Sequence, residues 1–83
     1  MDEREWQTFV TVVEEGNNYK SRWKLFLSQP ALSYRLRHLE EDLGSPLLLR
    51  TSEGITLTPQ GEVFHAYCRR MLQEMESLKQ VSV

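Results

Sequence analysis

The sequence has a single cysteine, no long apolar run and no secretory signal, and each absence narrows the class of protein. Cys68 has no second cysteine to pair with inside the chain, which favours a reducing compartment. No apolar stretch approaches the roughly 18 residues that cross a bilayer. Residues 1–5 lack the basic start and apolar segment of a signal peptide. We therefore expect a cytoplasmic protein without a membrane span.

The sequence also lacks the patterns that carry enzymatic chemistry. It contains no phosphate-cradling glycine loop and no nucleophile–base pair. His65 and Cys68 lie one helical turn apart, but two ligands do not make a zinc site. Acidic residues cluster at 14–15 and 40–42, but no apolar pocket that would raise the pKa of a carboxyl group is expected around them. We predict that the chain is not an enzyme and holds no metal or cofactor.

The charge is unevenly distributed along the chain. The net charge is −2, which taken alone argues against a nucleic-acid partner. Between Gly16 and Leu39, however, there are five basic residues and no acidic one: Lys20, Arg22, Lys24, Arg35 and Arg37. Phosphates respond to the surface within about 10 Å at 0.1 M salt, so a local basic segment matters more than the total. A basic segment of this length also arises by chance on a solvated surface.

Capping residues and apolar spacing predict three helices in the first half of the chain. Asp2 with Glu5 begins the first helix, whose apolar face is Trp6, Phe9, Val10 and Val13, and Gly16 ends it. Asn17 or Asn18 begins a second helix that runs to about Leu27. Ser28 caps a third, with Pro30 in its first turn and an apolar stripe of Leu32, Leu36, Leu39 and Leu43. We expect a core of Trp6, Phe9, Val13, Leu25, Leu32, Leu36 and Leu39.

The second half of the chain reads as a hairpin followed by a long helix. Residues 47–50 and 55–57 are strand-like and are joined by residues 51–54. Thr58 and Pro59 begin a helix that runs to about Lys79 and is roughly 30 Å long. The order predicts a mostly α fold, a winged helix-turn-helix of three helices and a hairpin wing. We divide the chain into a winged helix-turn-helix domain at 1–58 and a C-terminal linker helix at 59–83.

The first turns of the third helix carry side chains that suit base reading. In a helix-turn-helix this turn enters the major groove and contacts base edges. Gln29 can pair with adenine, Ser33 can donate or accept, and Pro30 offers a flat surface to a thymine methyl group. Tyr34 and Arg37 can reach phosphates. The alternative is that these residues are only the solvated side of an amphipathic helix.

A composite pattern in this region resembles the N-terminal domain of LysR-type transcriptional regulators. It consists of LFLSQPALS at 25–33, then Leu39-Glu40-Glu41, Gly44 and Pro46-Leu47, then Arg50-Thr51, and LTPQG at 57–61. The resemblance implies that Ser28, Gln29, Pro30, Ser33 and Tyr34 face the major groove of double-stranded DNA. The wing, with Arg50 and Thr51, would lie along the minor groove. It also implies dimers or tetramers, and a C-terminal domain for a small-molecule effector that is absent from this chain.

Several positions depart from the family pattern. Asn18 stands where an apolar side chain is usual, and Ser21 and Arg22 where two small residues are usual. Arg22 must either extend its charge towards solvent or push the helix outward. Tyr19 and Trp23 are expected to fill the core space that an apolar side chain at position 18 would occupy. Tyr34 replaces a frequent arginine, and Glu53 and Thr56 replace basic residues of the wing. We expect weaker DNA contacts but the same fold.

The last helix carries a candidate dimer seam. Its members follow a 4-3-4-3 spacing, as in a coiled coil of two heptads: Phe64, Cys68, Met71, Met75 and Leu78. Tyr67 and Leu72 lie beside the seam and are expected to pack on the body of the domain. One alternative is a helix that folds entirely against its own domain. The alternative for the whole chain is a protein-interaction module that dimerises through this helix without binding DNA.

Overall fold

The computed structural model describes residues 1–81 and has the predicted order of elements. These are α1 (Glu3–Glu15), α2 (Asn18–Leu25), α3 (Gln29–Leu43), β1 (Leu48–Thr51), β2 (Gly54–Leu57) and α4 (Pro59–Gln80). The two strands form an antiparallel hairpin in which Leu48 pairs with Leu57. This confirms the winged helix-turn-helix with a long final helix. Residues 82–83 of the predicted linker helix lie outside the described residues. No helix among the described residues is long and apolar enough to cross a membrane.

Each helix begins at a side-chain cap that the sequence predicted. In each case the side-chain oxygen of the cap accepts a hydrogen bond from the backbone N–H three residues later. The pairs are Asp2 with Glu5, Asn17 with Lys20, Ser28 with Ala31, and Thr58 with Gly61. Gly16 and Gly44 end α1 and α3 at φ values of 75° and 68°. The predicted end of α2 at Leu27 is wrong by two residues. Phe26 takes a left-handed φ of 55° and the Leu27 N–H donates to the Arg22 carbonyl oxygen, which closes the helix.

The core lies where α1, α3 and α4 meet. Its buried apolar members are Phe9, Val10, Val12, Leu32, Leu36, Leu39, Leu47, Phe64 and Cys68. Four predicted core residues are confirmed, whereas Trp6, Val13 and Leu25 are only partly buried at its margin. Val12 takes the central place expected for Val13, because α1 contacts helices on more than one side and buries a wider arc. Leu43, at the end of the α3 stripe, is exposed.

The first half of α4 packs against α1, which corrects the predicted dimer seam. Phe64 is 6% exposed and Cys68 is 0% exposed, and the Phe64 ring lies 4.9 Å from the Phe9 ring, centroid to centroid. Burial raises the pKa of the Cys68 thiol to about 12. These two residues therefore belong to the domain's own core and do not face a partner. Tyr67 and Leu72 pack against that core as predicted.

The wing is attached to the helices by backbone hydrogen bonds and one carboxylate. The Ile55 N–H donates to the Gly16 carbonyl oxygen at 2.9 Å, and the Thr58 N–H donates to that of Leu47 at 3.0 Å. The Glu40 carboxylate accepts from the N–H groups of Leu47 at 2.7 Å and Leu48 at 3.3 Å. The hairpin is thereby fixed relative to α3 before any ligand binds.

Gly61 leaves no room for a side chain at the junction of wing and α4, and this generates a stability prediction. A Cβ at this position would lie 2.0 Å from the Leu47 carbonyl oxygen. We expect Gly61→Ala to lower the free energy of unfolding by about 2 kcal/mol, because α4 must shift away from the wing. Urea denaturation measures the change. The adjacent exposed variant Gln60→Ala is the control and should change stability by less than about 0.5 kcal/mol. Equal stability of Gly61→Ala and the control would contradict the close packing.

Candidate nucleic-acid interface

The first turn of α3 is exposed because the opposite side of the helix is buried. Leu32, Leu36 and Leu39 lie in the core, so the residues at the start of the helix face outward. Ser28, Gln29 and Pro30 are all exposed. The Ser28 hydroxyl accepts from the Ala31 N–H at 3.2 Å as the helix cap, so its oxygen is partly engaged. The turn thus presents small and hydrogen-bonding side chains to a partner, together with the positive end of the helix dipole.

A groove runs between α3 and the first strand of the wing. We call it the α3–wing groove, and its lining residues are Ser33, Leu36, Arg37, Glu40, Leu48 and Arg50. Three predicted site residues, Ser33, Arg37 and Arg50, therefore share one surface. Thr51 does not line this groove. Its hydroxyl donates to the Gly54 carbonyl oxygen at 3.1 Å and accepts from the Glu53 N–H at 3.2 Å, which holds the hairpin turn.

Asn18 contacts Arg50, a contact that sequence reasoning missed. Asn18 is 8% exposed, and with its amide oxygen turned towards Arg50 that oxygen accepts from Nη1 at 3.2 Å and Nη2 at 2.9 Å. We assign this orientation because the opposite one would turn the amide nitrogen towards the guanidinium donors. The buried amide thus holds the guanidinium beside the α3–wing groove. The sequence offers one sign of this contact: Asn18 stands at a position where the family usually has an apolar side chain.

Tyr34 lies on a different flank of α3 from the groove. Its ring stacks on that of His38 with a centroid distance of 6.0 Å and an interplanar angle of 19°. The two residues line a shallow depression together with Asp2, Glu5 and Arg35. Tyr34 is 61% exposed and reaches solvent. It is therefore accessible, but the structure does not bring it together with Ser33, Arg37 and Arg50.

Three of the five basic residues between Gly16 and Leu39 have partners within the domain. Lys24 Nζ lies 2.7 Å from the Glu15 carboxylate, and this hydrogen bond raises the pKa of Lys24. Arg35 Nη1 donates to the Thr8 hydroxyl at 3.2 Å. The Arg22 guanidinium lies 4.9 Å from the centroid of the Trp23 ring. Among the described residues, Lys20 and Arg37 are without such an ion pair or side-chain bond. Of the three partners, only Glu15 carries a charge that offsets its cation, because the partners of Arg35 and Arg22 are a neutral hydroxyl and a neutral ring.

The aromatic residues of α2 do not fill the predicted gap. Tyr19 and Trp23 are 66% and 60% exposed, and Phe26 beyond the helix end is 93% exposed. The expectation that Tyr19 and Trp23 pack inward is therefore wrong. Ser21 occupies the helix contact instead, at 0% exposure, with its hydroxyl donating to the Asn17 carbonyl oxygen at 2.6 Å. The small Ser21 lets α2 approach its neighbours while the aromatics stay on the surface.

Comparisons with known proteins agree with this geometry. Residues 4–62 match the family described as "Bacterial regulatory helix-turn-helix protein, lysR family". The chain is 43% identical over 79 residues to the HTH-type transcriptional regulator YraN of Bacillus subtilis, covering 95% of this chain and 27% of the relative. It is 38% identical over 78 residues to the regulator BenM of Acinetobacter baylyi, covering 94% of this chain and 26% of BenM. The chain thus spans about a quarter of the length of these relatives.

Solved structures share the fold over nearly the whole chain. The BenM DNA-binding domain in complex with benA site 1 DNA has a TM-score of 0.90 at 38% identity, covering 96% of this chain and 93% of that one. The LysR family regulator CbnR has a TM-score of 0.89 at 35% identity, covering 96% of this chain and 28% of that one. With the family match over residues 4–62, these likenesses show that the chain belongs to the LysR family of bacterial regulatory helix-turn-helix proteins.

Proposed function

We propose that this chain binds double-stranded DNA at specific sequences, as the DNA-binding part of a bacterial transcription regulator. The proposal rests on one observation, which is that the exposed first turn of α3 lies next to a groove that contains two arginines. The exposed first turn of α3 adjoins the α3–wing groove, which combines Ser33 and Arg37 of the helix with Arg50 of the wing. A structure of the BenM DNA-binding domain with DNA has the same fold and supports this assignment.

The exposed residues divide into base-reading and phosphate-binding groups. Gln29 has the donor and acceptor pair that recognises adenine in the major groove, and Ser33 can take either role one turn later. Pro30 offers an apolar surface to a thymine methyl group. Arg37 and Arg50 are the charged members and suit phosphates on the flanks, where they would fix the register of the helix. Glu53 lies in the exposed hairpin turn and adds a negative charge where the minor groove would be approached, which weakens the wing contact.

We infer that the full protein is a homodimer in the cytoplasm, built through α4 and able to form tetramers. The curated relatives are about four times longer, and their remaining length has room for a domain that binds a small-molecule effector. The exposed part of the predicted seam is confined to the second half of α4, where Met71 and Met75 are half-buried and Leu78 is 68% exposed. The chain would act by binding alone, without catalysis and without a cofactor in this domain.

Base reading is tested by truncating the exposed turn of α3. We expect Gln29→Ala and Ser33→Ala each to weaken the free energy of binding to a selected duplex by about 1–3 kcal/mol. Binding to a duplex of random sequence should change little, because only contacts to the bases distinguish one sequence from another. Fluorescence anisotropy measures the affinity for the selected and the random duplex at several salt concentrations. Gln73→Ala, an exposed glutamine of α4, is the matched control. Affinity that does not depend on salt, or no binding by the wild type, would favour the protein-interaction alternative.

The role of Asn18 is tested by restoring an apolar residue. We expect Asn18→Leu to fold normally, since the family usually has an apolar side chain there, but to release the Arg50 guanidinium. Affinity for all duplexes should then fall roughly threefold to tenfold, because a phosphate contact carries no sequence information. In an Arg50→Ala background the same substitution should have no further effect. Additive losses in the double variant would show that Asn18 does not act through Arg50.

Assembly is tested on the exposed half of the seam. We expect the double variant Met71→Glu and Leu78→Glu to be monomeric, because like charges would meet across a two-fold axis. The winged domain should remain folded, since its core does not include either residue. Affinity for a two-half-site duplex should fall by at least about 100-fold, because the second contact is no longer intramolecular. Analytical ultracentrifugation measures the oligomeric state. Ser77→Glu, which adds a negative charge to α4 outside the seam, is the control. A wild-type chain that stays monomeric at high concentration would contradict assembly through α4.

A further inference from the structure

We propose that Glu5, His38 and Asp42 bind a divalent transition-metal ion, with zinc as the best fit. Nδ1 of His38 lies 3.5 Å from Oε2 of Glu5 and 3.7 Å from Oδ2 of Asp42. The three ligand atoms all lie within 4.8 Å of one another. The sequence alone predicts no metal site, because His65 and Cys68 supply only two ligands. The fold creates this different set by placing the start of α1 beside the middle of α3.

The spacing of the three atoms suits a tetrahedral ion. Zinc binds imidazole nitrogen and carboxylate oxygen at about 2.0–2.1 Å, so neighbouring ligand atoms of a tetrahedral site lie about 3.4 Å apart. The two distances from His38 Nδ1 exceed this value by only a few tenths of an ångström. Rotation of the exposed Asp42 side chain can shorten the distances between its carboxylate and the other two ligand atoms. The fourth position would be taken by water.

Two features hold the ligands in place. His38 and Asp42 are separated by one helical turn, so their side chains share one face of α3. Glu5 comes from α1, which packs against α3, and its side chain is only 19% exposed. The Tyr34 ring lies nearly parallel to the imidazole, with a centroid distance of 6.0 Å. The fold thus brings together one ligand from α1 and two from α3, although the Glu5 carboxylate also lies 3.8 Å from the N-terminal amine, which a bound ion would have to displace.

The ligand chemistry selects the class of ion. Two carboxylates with a neutral imidazole attract a dication, and the nitrogen ligand favours zinc, nickel or copper over magnesium or calcium. Arg4 and Arg35 line the same depression and oppose a cation, although Arg35 Nη1 is directed to the Thr8 hydroxyl. The competing account is a protonated His38 that forms ion pairs with both carboxylates and needs no metal. The two accounts differ in whether zinc binds.

The expected consequence is a cross-link between α1 and α3. An ion bound only by the folded chain raises the temperature of unfolding in proportion to the logarithm of its concentration. This inference does not depend on the proposed DNA binding, because both readouts below are made without DNA.

The test is a titration of the tag-free 83-residue chain with zinc chloride by calorimetry, with thermal unfolding followed in parallel. We expect one ion per chain, a rise in the unfolding temperature, and a tetrahedral visible absorption spectrum with cobalt(II). His38→Gln and Asp42→Asn should each weaken zinc binding at least about tenfold, because one of three protein ligands is lost. Glu41→Gln removes the same charge at the adjacent exposed position and should bind zinc as the wild type does.

Two results would overturn the proposal. If the wild-type chain does not bind zinc, the short distances are the ion pairs of a protonated histidine. If zinc binds equally to His38→Gln but is lost in His65→Gln, the ion lies at the other histidine of the chain. Unfolding temperatures without metal show whether each variant is folded. Glu5→Gln provides a further variant on α1, and it should weaken zinc binding in the same way.

Discussion

The carboxylate of Glu40 connects α3 to the wing, the two halves of the proposed DNA-binding surface. It comes from α3 and accepts hydrogen bonds from the first two backbone N–H groups of the wing segment, those of Leu47 and Leu48. A carboxylate that accepts two backbone bonds at a partly buried site is a strong local restraint. Because it fixes the beginning of β1 against the helix, the distance between Ser33 on α3 and Arg50 on the wing is set by the domain itself. The base of the hairpin is also held by Thr58, which bonds to Leu47 and Pro46, and the part nearer the turn is held by the Gly16 carbonyl oxygen, which accepts from the Ile55 N–H.

The same junction determines how α4 leaves the domain. The Thr58 hydroxyl donates to the Pro46 carbonyl oxygen at 2.7 Å and accepts from the Gly61 N–H at 2.9 Å, so it joins the wing to the start of the helix. The first half of α4 then contributes Phe64 and Cys68 to the core, whereas none of the described residues in its second half is buried. An exposed ion pair between Lys79 and Glu3, at 3.5 Å, lies where the end of that half runs beside the start of α1. A partner subunit bound there would be oriented directly relative to the wing.

The sequence was sufficient for local features and insufficient for contacts between distant residues. Caps such as Asp2 and Thr58 act within four residues, and their chemistry is visible in the chain itself. The 4-3-4-3 spacing of α4 predicted an apolar stripe, but the period is the same whether the stripe meets a partner or the helix's own domain. The Asn18–Arg50 contact and the cluster of Glu5 with His38 exist only because the fold brings separate elements together. For the same reason, the contacts of Lys24 with Glu15 and of Arg35 with Thr8 are not visible in the basic segment itself.

The central claim is that the exposed turn of α3 and the wing form one surface for sequence-specific DNA, presented twice in a dimer. Selection from a random duplex library with the wild-type chain tests this claim most directly, because the recovered sequences report site, spacing and symmetry together. The account predicts an enriched palindrome with half-sites separated by whole turns of the DNA helix, about 34–36 Å or a multiple of it. A library that remains unenriched after repeated rounds, or a recovered site without two-fold symmetry, would contradict it.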